Sequence, residues 1–282
     1  METRDKYYSV NGIRLHVVEA GDPEGEVLLF LHGFPEFWYG WRKQIPFFVA
    51  KGYRVVVPDQ RGYNLSSKPP DVKAYTLSHL TADIAALIQQ VIARKVYLVG
   101  HDWGGAVAWT MAQYYPGLLE KLIILNMPHL KVMHHELRTN PTQFLRSWYA
   151  GFFQIPVLPE AFSRVFNFKV LERSVTLSAK AGAFSEAEIA RYKAAWQQPQ
   201  ALTAMINWYR AYKYNKLDVT REVTVPTLLI WGMKDTFLNH TMAQPSIEKC
   251  TDGQLKFMYD ATHWLHHEKP DEVNRLILDF IS

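Results

Sequence analysis

Six short runs dominated by apolar, β-branched and aromatic residues constrain this chain most: Val27–Leu31, Tyr53–Val57, Val96–Val99, Leu122–Leu125, Pro226–Trp231 and Leu255–Tyr259. Runs of this length without strict alternation suit strands buried on both faces, the situation of a parallel sheet. Helical patterns separate or follow them, notably over Leu77–Ile92, Ala106–Tyr115 and Pro270–Ile281. Strand then helix, repeated, reads as an α/β sheet. Ahead of these, Tyr7–Val10 and Ile13–Val18 flank Asn11-Gly12, a strong hairpin signal. The pattern stops after Asn126, and no strand-like run occurs from Leu130 to Lys216, where Pro141, Pro156, Pro159 and Pro199 punctuate aromatic and helix-forming residues. The expected organisation is an α/β core made of residues 1–129 and 217–282, split by a helical insertion over 130–216.

The length of 282 residues fits one large domain carrying such an insertion. Hydrophobic residues at 48% and charged residues at 21% lie near globular averages and argue against disorder. A net charge of +4 without a basic block gives no case for a nucleic-acid partner. The single cysteine, Cys250, allows no internal disulfide and no two-cysteine zinc site. The stretch from Met1 to Asp5 is charged, unlike a signal peptide, and the longest uncharged stretch, Trp103 to Leu119, reads as a core helix and not a membrane span. The expectation is a soluble, cytoplasmic, globular protein.

In sheets of this kind the chemistry gathers at the carboxyl ends of the strands. Gly100-His101-Asp102-Trp103-Gly104-Gly105 follows one strand and opens a helix, the strand–turn–helix arrangement that thrusts a central side chain into a site. The central residue is Asp102. Two readings are open at this point: a helix N-cap, or a carboxylate nucleophile that attacks carbon and forms an alkyl ester. His32-Gly33-Phe34-Pro35 ends another strand, where the N–H groups of Phe34 and Trp103 suit an oxyanion hole. Hydrolysis of an ester needs a base. His263 sits just past the last strand, whereas His266 and His267 lie closer to the final helix. The group His263-x-x-His266-His267-Glu268 lacks metalloprotease spacing and is read as no metal site. Asp235 ends the strand Pro226–Trp231 and is the acid expected to orient the histidine, because the competing position carries the non-acidic Asn126. The chain order Asp102, Asp235, His263 is that of α/β-hydrolases.

At these residues the sequence resembles the α/β-hydrolases of the soluble epoxide hydrolase type. The resemblance runs from about Tyr7 to the C-terminus and rests on His32-Gly33-Phe34-Pro35, Asp59-Gln60-Arg61-Gly62-Tyr63, the Asp102 turn, Trp231-Gly232-Met233-Lys234-Asp235 and His263-Trp264. It implies an α/β-hydrolase fold: a mostly parallel eight-stranded sheet, flanking helices and an inserted helical cap. Dehalogenases share much of this set. The insertion separates them, because the family's cap carries two tyrosines that donate to the epoxide oxygen. Trp148-Tyr149-Ala150-Gly151-Phe152-Phe153-Gln154 and Asn207-Trp208-Tyr209-Arg210 match those contexts, so the resemblance assigns the role to Tyr149 and Tyr209. It further implies that Asp59 and Arg61 secure their loop, that Asn64 adopts a positive φ, that His101 packs, and that Phe34-Pro35 is cis.

The implied reaction has Asp102 open an epoxide with Tyr149 and Tyr209 donating to its oxygen. His263, oriented by Asp235, then activates water against the ester while the Phe34 and Trp103 amides hold the oxyanion. The partners are a small apolar epoxide and water; no cofactor and no metal is called for. The rivals are a haloalkane or haloacid dehalogenase using the same Asp–His–Asp set, and a non-catalytic receptor on the same scaffold. Phe34 stands where haloalkane dehalogenases have asparagine, and Trp103 where fluoroacetate-type enzymes have arginine; both departures count against a dehalogenase.

Overall fold

The computed structural model describes residues 2–282. The chain opens with the hairpin of β1 (Arg4–Val10) and β2 (Ile13–Ala20). Its turn residues Asn11 and Gly12 both have positive φ, the backbone that a two-residue hairpin loop demands. There follow β3 (Val27–Leu31), α1 (Gln44–Ala50), β4 (Arg54–Pro58), α2 (Leu77–Leu87), β5 (Val96–His101), α3 (Trp103–Tyr114) and β6 (Leu119–Leu125). Six helices come next: α4 (Leu130–Thr139), α5 (Pro141–Arg146), α6 (Trp148–Phe152), α7 (Leu158–Thr176), α8 (Glu186–Trp196) and α9 (Ala201–Ala211). The sheet then resumes with β7 (Thr227–Gly232), α10 (Ala243–Ile247), β8 (Gly253–Met258), α11 (Leu265–Glu268) and α12 (Pro270–Ile281). No helix among the described residues is long and apolar enough to cross a membrane.

The strands form one eight-stranded sheet in the order β1-β2-β4-β3-β5-β6-β7-β8. β2 pairs antiparallel with β1 and β4, and every other pairing is parallel. This is the expected α/β-hydrolase architecture. The apolar runs serve two cores because alternate side chains leave opposite faces of the sheet. Leu29, Leu31, Leu98, Ile124 and Leu229 face one cluster with α2 and α3. Leu28, Phe30, Val99, Ile123 and Ile230 face the other, where Val273, Ile277 and Ile281 of α12 cover them. Each such side chain taken from water contributes about 1.5–3 kcal/mol.

Three boundaries depart from the sequence reading. The helix expected over Leu77–Ile92 is α-helical only to Leu87; Ile88–Ile92 widens into a π turn and ends on Ala93 at φ 56. No glycine stands at that C-cap, so alanine takes the left-handed conformation. The helix after β5 begins at Trp103 and not at Ala106. Gly104 and Gly105 sit inside its first turn because a Cβ at Gly104 would collide with the Leu31 carbonyl. Finally, α7 is two helical pieces joined by non-helical backbone at Val165–Phe168.

Candidate active site

Five adjacent parallel strands end on one rim. β3 leads to Gly33 and Phe34, β5 to Asp102, β6 to Asn126, β7 to Asp235 and β8 to His263. Asp102 holds φ 49 and ψ −124, between a strand and a helix, in a backbone region costly for any residue with a Cβ. Its side chain makes no N-cap hydrogen bond. Instead Oδ1 accepts from the Phe34 N–H at 2.7 Å, which removes the capping reading. Gly33 permits this approach, since a Cβ there would run into the Asp102 side chain. The Trp103 N–H leads the first turn of α3, whose amides have no partner within a helix. The peptide Phe34-Pro35 is cis, as the resemblance implied.

His263 lies between two carboxylates. Its Nδ1 meets Asp235 Oδ2 at 2.7 Å, and its Nε2 stands 3.6 Å from Asp102 Oδ2. Burial disfavours the imidazolium, but Asp235 and Asp102 outweigh it and push the His263 pKa up to about 10. Asp235 is buried and fully bonded. Oδ1 accepts from the Phe237 and Leu238 N–H groups at 2.7 and 2.9 Å, and Oδ2 accepts from Asn126 Nδ2 at 2.6 Å. Burial alone would raise its pKa; His263, Asn126 and the Leu238 amide hold it below the usual carboxylate range.

Tyr149 on α6 and Tyr209 on α9 face this rim from the helical insertion, their rings 5.9 Å apart. Tyr209 packs edge-on against Phe34 at 5.3 Å and Trp103 at 5.1 Å. Burial, with the Asp102 charge adding to it, raises both phenol pKa values well above the ordinary 10, so both hydroxyls keep their protons. The two tyrosine segments are tied to each other. Gln154 Nε2 donates to the Tyr209 carbonyl at 3.0 Å, and Arg210 Nε donates to the Phe153 carbonyl at 2.9 Å. These ties explain why Gln154 and Arg210 flank the tyrosines in sequence. Two cavities meet at Asp102, Tyr149 and Tyr209. One, of about 180 Å³, is lined by Phe34, Phe153, Phe237 and His263; the other, of about 340 Å³, by Trp103, Met133, Leu137 and Tyr212.

Comparison with known proteins accords with this geometry. The model of the alpha/beta hydrolase fold family matches residues 26–270. The AB hydrolase superfamily protein YfhM of Bacillus subtilis is 47% identical over 278 residues, covering 98% of this chain and 97% of that one. Epoxide hydrolase 4 of Mus musculus is 38% identical over 279 residues, covering 96% of this chain and 77% of that protein. A Bacillus megaterium epoxide hydrolase crystallised with an inhibitor superposes with a TM-score of 0.88 at 32% identity, covering 98% of this chain and 99% of that one. The chain belongs to the epoxide hydrolase family of α/β-hydrolases. Within this hydrolase the structure brings together all seven residues singled out from the sequence, namely Phe34, Asp102, Trp103, Tyr149, Tyr209, Asp235 and His263.

Other residues of the hydrolase escaped the sequence reading. Asn126, set aside there as non-acidic, donates to Asp235 and accepts from the Gly232 N–H at 2.8 Å, so it locks the Asp235 carboxylate. Glu36, buried one residue past the cis proline, gathers a polar cluster behind His263. It accepts from Tyr192 and His267, each at 2.7 Å, and from His266 at 3.2 Å. His101 donates through Nε2 to the His263 carbonyl at 2.9 Å, so it supports that loop as well as packing. The expected histidine group is therefore divided: His263 turns to Asp235, while His266 and His267 turn to Glu36. Glu36, His266 and His267 lie within ligand distance of one another. The Arg42 guanidinium 3.0 Å from His267 Nδ1 opposes a cation there, and the contacts are those of a hydrogen-bonded carboxylate. Nothing in the local sequence announces Glu36, because its partners lie 156 to 231 residues away. Asp59 and Arg61 are tied down as the resemblance implied. Asp59 accepts from the Trp38 N–H and Asn64 Nδ2, and Arg61 forms a bidentate pair with Asp83. Asn64 takes φ 40.

Proposed function

We propose that the protein hydrolyses an apolar epoxide to a vicinal diol in two covalent steps. An Asp102 carboxylate oxygen attacks an epoxide carbon, the C–O bond breaks, and the ring oxygen receives a proton from Tyr149 or Tyr209. The His263 imidazolium returns a proton to the phenolate so formed; now neutral, it takes a proton from water, and the resulting hydroxide attacks the carbonyl of the Asp102 ester. The Phe34 and Trp103 amides hold the oxyanion; its collapse expels an alkoxide that takes the proton of the new Asp102 carboxyl, so the diol leaves and the aspartate is restored. Residues 130–216 act as the cap that carries the two phenols, over a core of 1–129 and 217–282.

The observation that carries this reading is the pair of protonated phenols held across the rim from Asp102. A departing alkoxide needs a proton; a departing halide does not. That contrast disfavours the dehalogenase reading. The electrostatics support a timed sequence. The Asp102 charge contributes to the raised pKa values of His263, Tyr149 and Tyr209. Ester formation abolishes that charge. At that moment the phenols become better acids, when the alkoxide forms, and His263 becomes able to lose its proton and serve as base. The aromatic lining of both cavities favours an apolar or aromatic epoxide.

The deciding experiment is a single turnover of styrene oxide in ¹⁸O water with enzyme in excess. The expected result is unlabelled diol and label in the peptide bearing Asp102. Labelled diol with an unlabelled peptide would replace the covalent route by direct water attack. Absence of diol with a wide set of epoxides, together with halide release from alkyl halides, would restore the dehalogenase reading.

A further inference from the structure

We propose that the outer face of residues 138–177 is a docking surface for an anionic lipid bilayer. Among the described residues, fourteen large hydrophobic side chains are exposed, and ten of them fall within 144–177. Phe144, Leu145, Trp148, Val157, Phe166 and Leu177 are each more than 60% exposed. Single exposed apolar residues are ordinary, but a concentration of them marks a binding face. Part of the group adjoins the site. The Trp148 ring lies 6.1 Å from Phe152, and Phe152 lies 5.8 Å from Phe162. Trp148 and Phe162 line the smaller cavity, and Phe144 and Trp148 line the larger one.

Backbone strain points the same way. Val157 and Phe166 hold φ values of 67 and 50. Left-handed backbone costs a residue with a Cβ roughly 1–2 kcal/mol, and a β-branched one more readily clashes there. These two side chains are 74% and 83% exposed, so folding recovers little burial at either position. Strain of this kind is retained where a site uses it.

Charge selects the occupant. Residues 138–177 contain Arg138, Arg146, Arg164, Lys169 and Arg173 against Glu160 and Glu172, a net 5 − 2 = +3, of which Arg146 turns inward to the Asp235 carbonyl. Both glutamates are committed: Glu160 to Arg210, and Glu172 to Lys169 and Lys193. Arg138, Arg164 and Arg173 are exposed and form no ion pair among the described residues. Aromatic and aliphatic side chains interspersed with arginines fit the interface of an anionic membrane. A second copy fits less well, because a two-fold interface sets the same positive patch against itself. A bilayer also dissolves apolar epoxides at the cavity mouths, an advantage that rests on the proposed reaction; the docking itself does not.

The test is cosedimentation of the full chain with vesicles of phosphatidylcholine plus phosphatidylglycerol and with vesicles of phosphatidylcholine alone, thermal unfolding serving as the control for folding. Wild type is expected to bind the anionic vesicles and to bind the neutral ones more weakly. A Val157→Ser, Phe166→Ser double variant should bind both at least about tenfold less, by loss of inserted apolar area. An Arg164→Glu, Arg173→Glu variant should lose about 25-fold or more on anionic vesicles, roughly fivefold per arginine, and nothing on neutral ones. No sedimentation with either vesicle, or undiminished binding of the serine variant, would overturn the proposal. A concentration-dependent dimer in sedimentation velocity that the serine variant dissolves would reassign the face to a second copy.

Discussion

At the scale of the residue, the Asp102 charge adds to three raised pKa values at once, behind burial at Tyr149 and Tyr209 and behind Asp235 at His263. In the resting protein it helps hold the His263 pKa near 10, so the imidazole is cationic at neutral pH. A cationic imidazole is no base. On the proposed mechanism the alkylated Asp102 is neutral, and His263 falls back toward its ordinary range. Decay of the ester should therefore rise with pH along a limb below 10, with Asp235 still raising it above the ordinary range, while His263 in the resting protein, followed by NMR, titrates near 10. Coincidence of the two values would mean that the Asp102 charge does not gate the base. His263→Gln should accumulate the ester, visible as a mass increase equal to the substrate, whereas Asp102→Ala should form none and lose at least about 10³-fold in turnover. Tyr149→Phe should retain partial activity because Tyr209 still donates; complete loss would show that both phenols are needed together. The sequence exposes these residues because each stands in a short local context at a strand end. Asn126 was passed over for the opposite reason. Its value lies in two hydrogen bonds to residues more than a hundred positions away, and an asparagine after a strand looks like any turn.

At the scale of the element, the helical insertion works only if α6 and α9 keep their spacing, because each carries one phenol. Arg210 is the main fastener. It donates to the Phe153 and Ile155 carbonyls and pairs with Glu160 through two nitrogens, at 2.6 and 3.0 Å. Both partners of that pair are largely buried, so removing the cation strands Glu160 and leaves two carbonyls short of a donor. Arg210→Met should lower kcat/KM for the epoxide about 10- to 100-fold, since an ångström of misplacement at a donor costs that much. The loss should fall on the epoxide-opening step and spare ester decay, which uses core residues alone; rapid-quench kinetics separates the two. Equal slowing of both steps would show that the cap tie supports the whole site. Strand positions were legible because the central apolar runs are buried on both faces; β8, at the sheet edge, is largely exposed and shows only as a short apolar run. The break in α7 was not, since Val165–Phe168 carries no glycine or proline, and nothing in its composition distinguishes it from helix.

At the scale of the whole molecule, the Asp102–His263–Asp235 line joins the two halves of the core across the insertion, so its ionisation is coupled to global unfolding. His263 has a folded pKa of about 10 against an ordinary value of 6.5. A basic group with a raised folded pKa adds stability that is fully present below the unfolded value and is lost as pH rises through the folded one. The stability lent by His263 is therefore complete below pH 6.5 and lost progressively between 6.5 and about 10. Asp235 works in the opposite direction: its depressed pKa adds stability above the ordinary carboxylate range that disappears on acidification. Phenols ordinarily ionise near 10, so Tyr149 and Tyr209 contribute little to the slope inside the alkaline window. Urea unfolding across pH 6 to 10 should thus show a declining free energy in the native sequence and a flatter profile in His263→Gln, whose side chain cannot titrate. If the variant keeps the full alkaline decline, the proton lost on that limb belongs elsewhere. His16, which like His263 lies between two carboxylates, would then be the place to look, since its bonds to Asp59 and Asp5 overcome burial and raise its pKa. His16→Asn in the His263→Gln background would decide it, because removing that imidazole would then flatten the limb His263 had left in place.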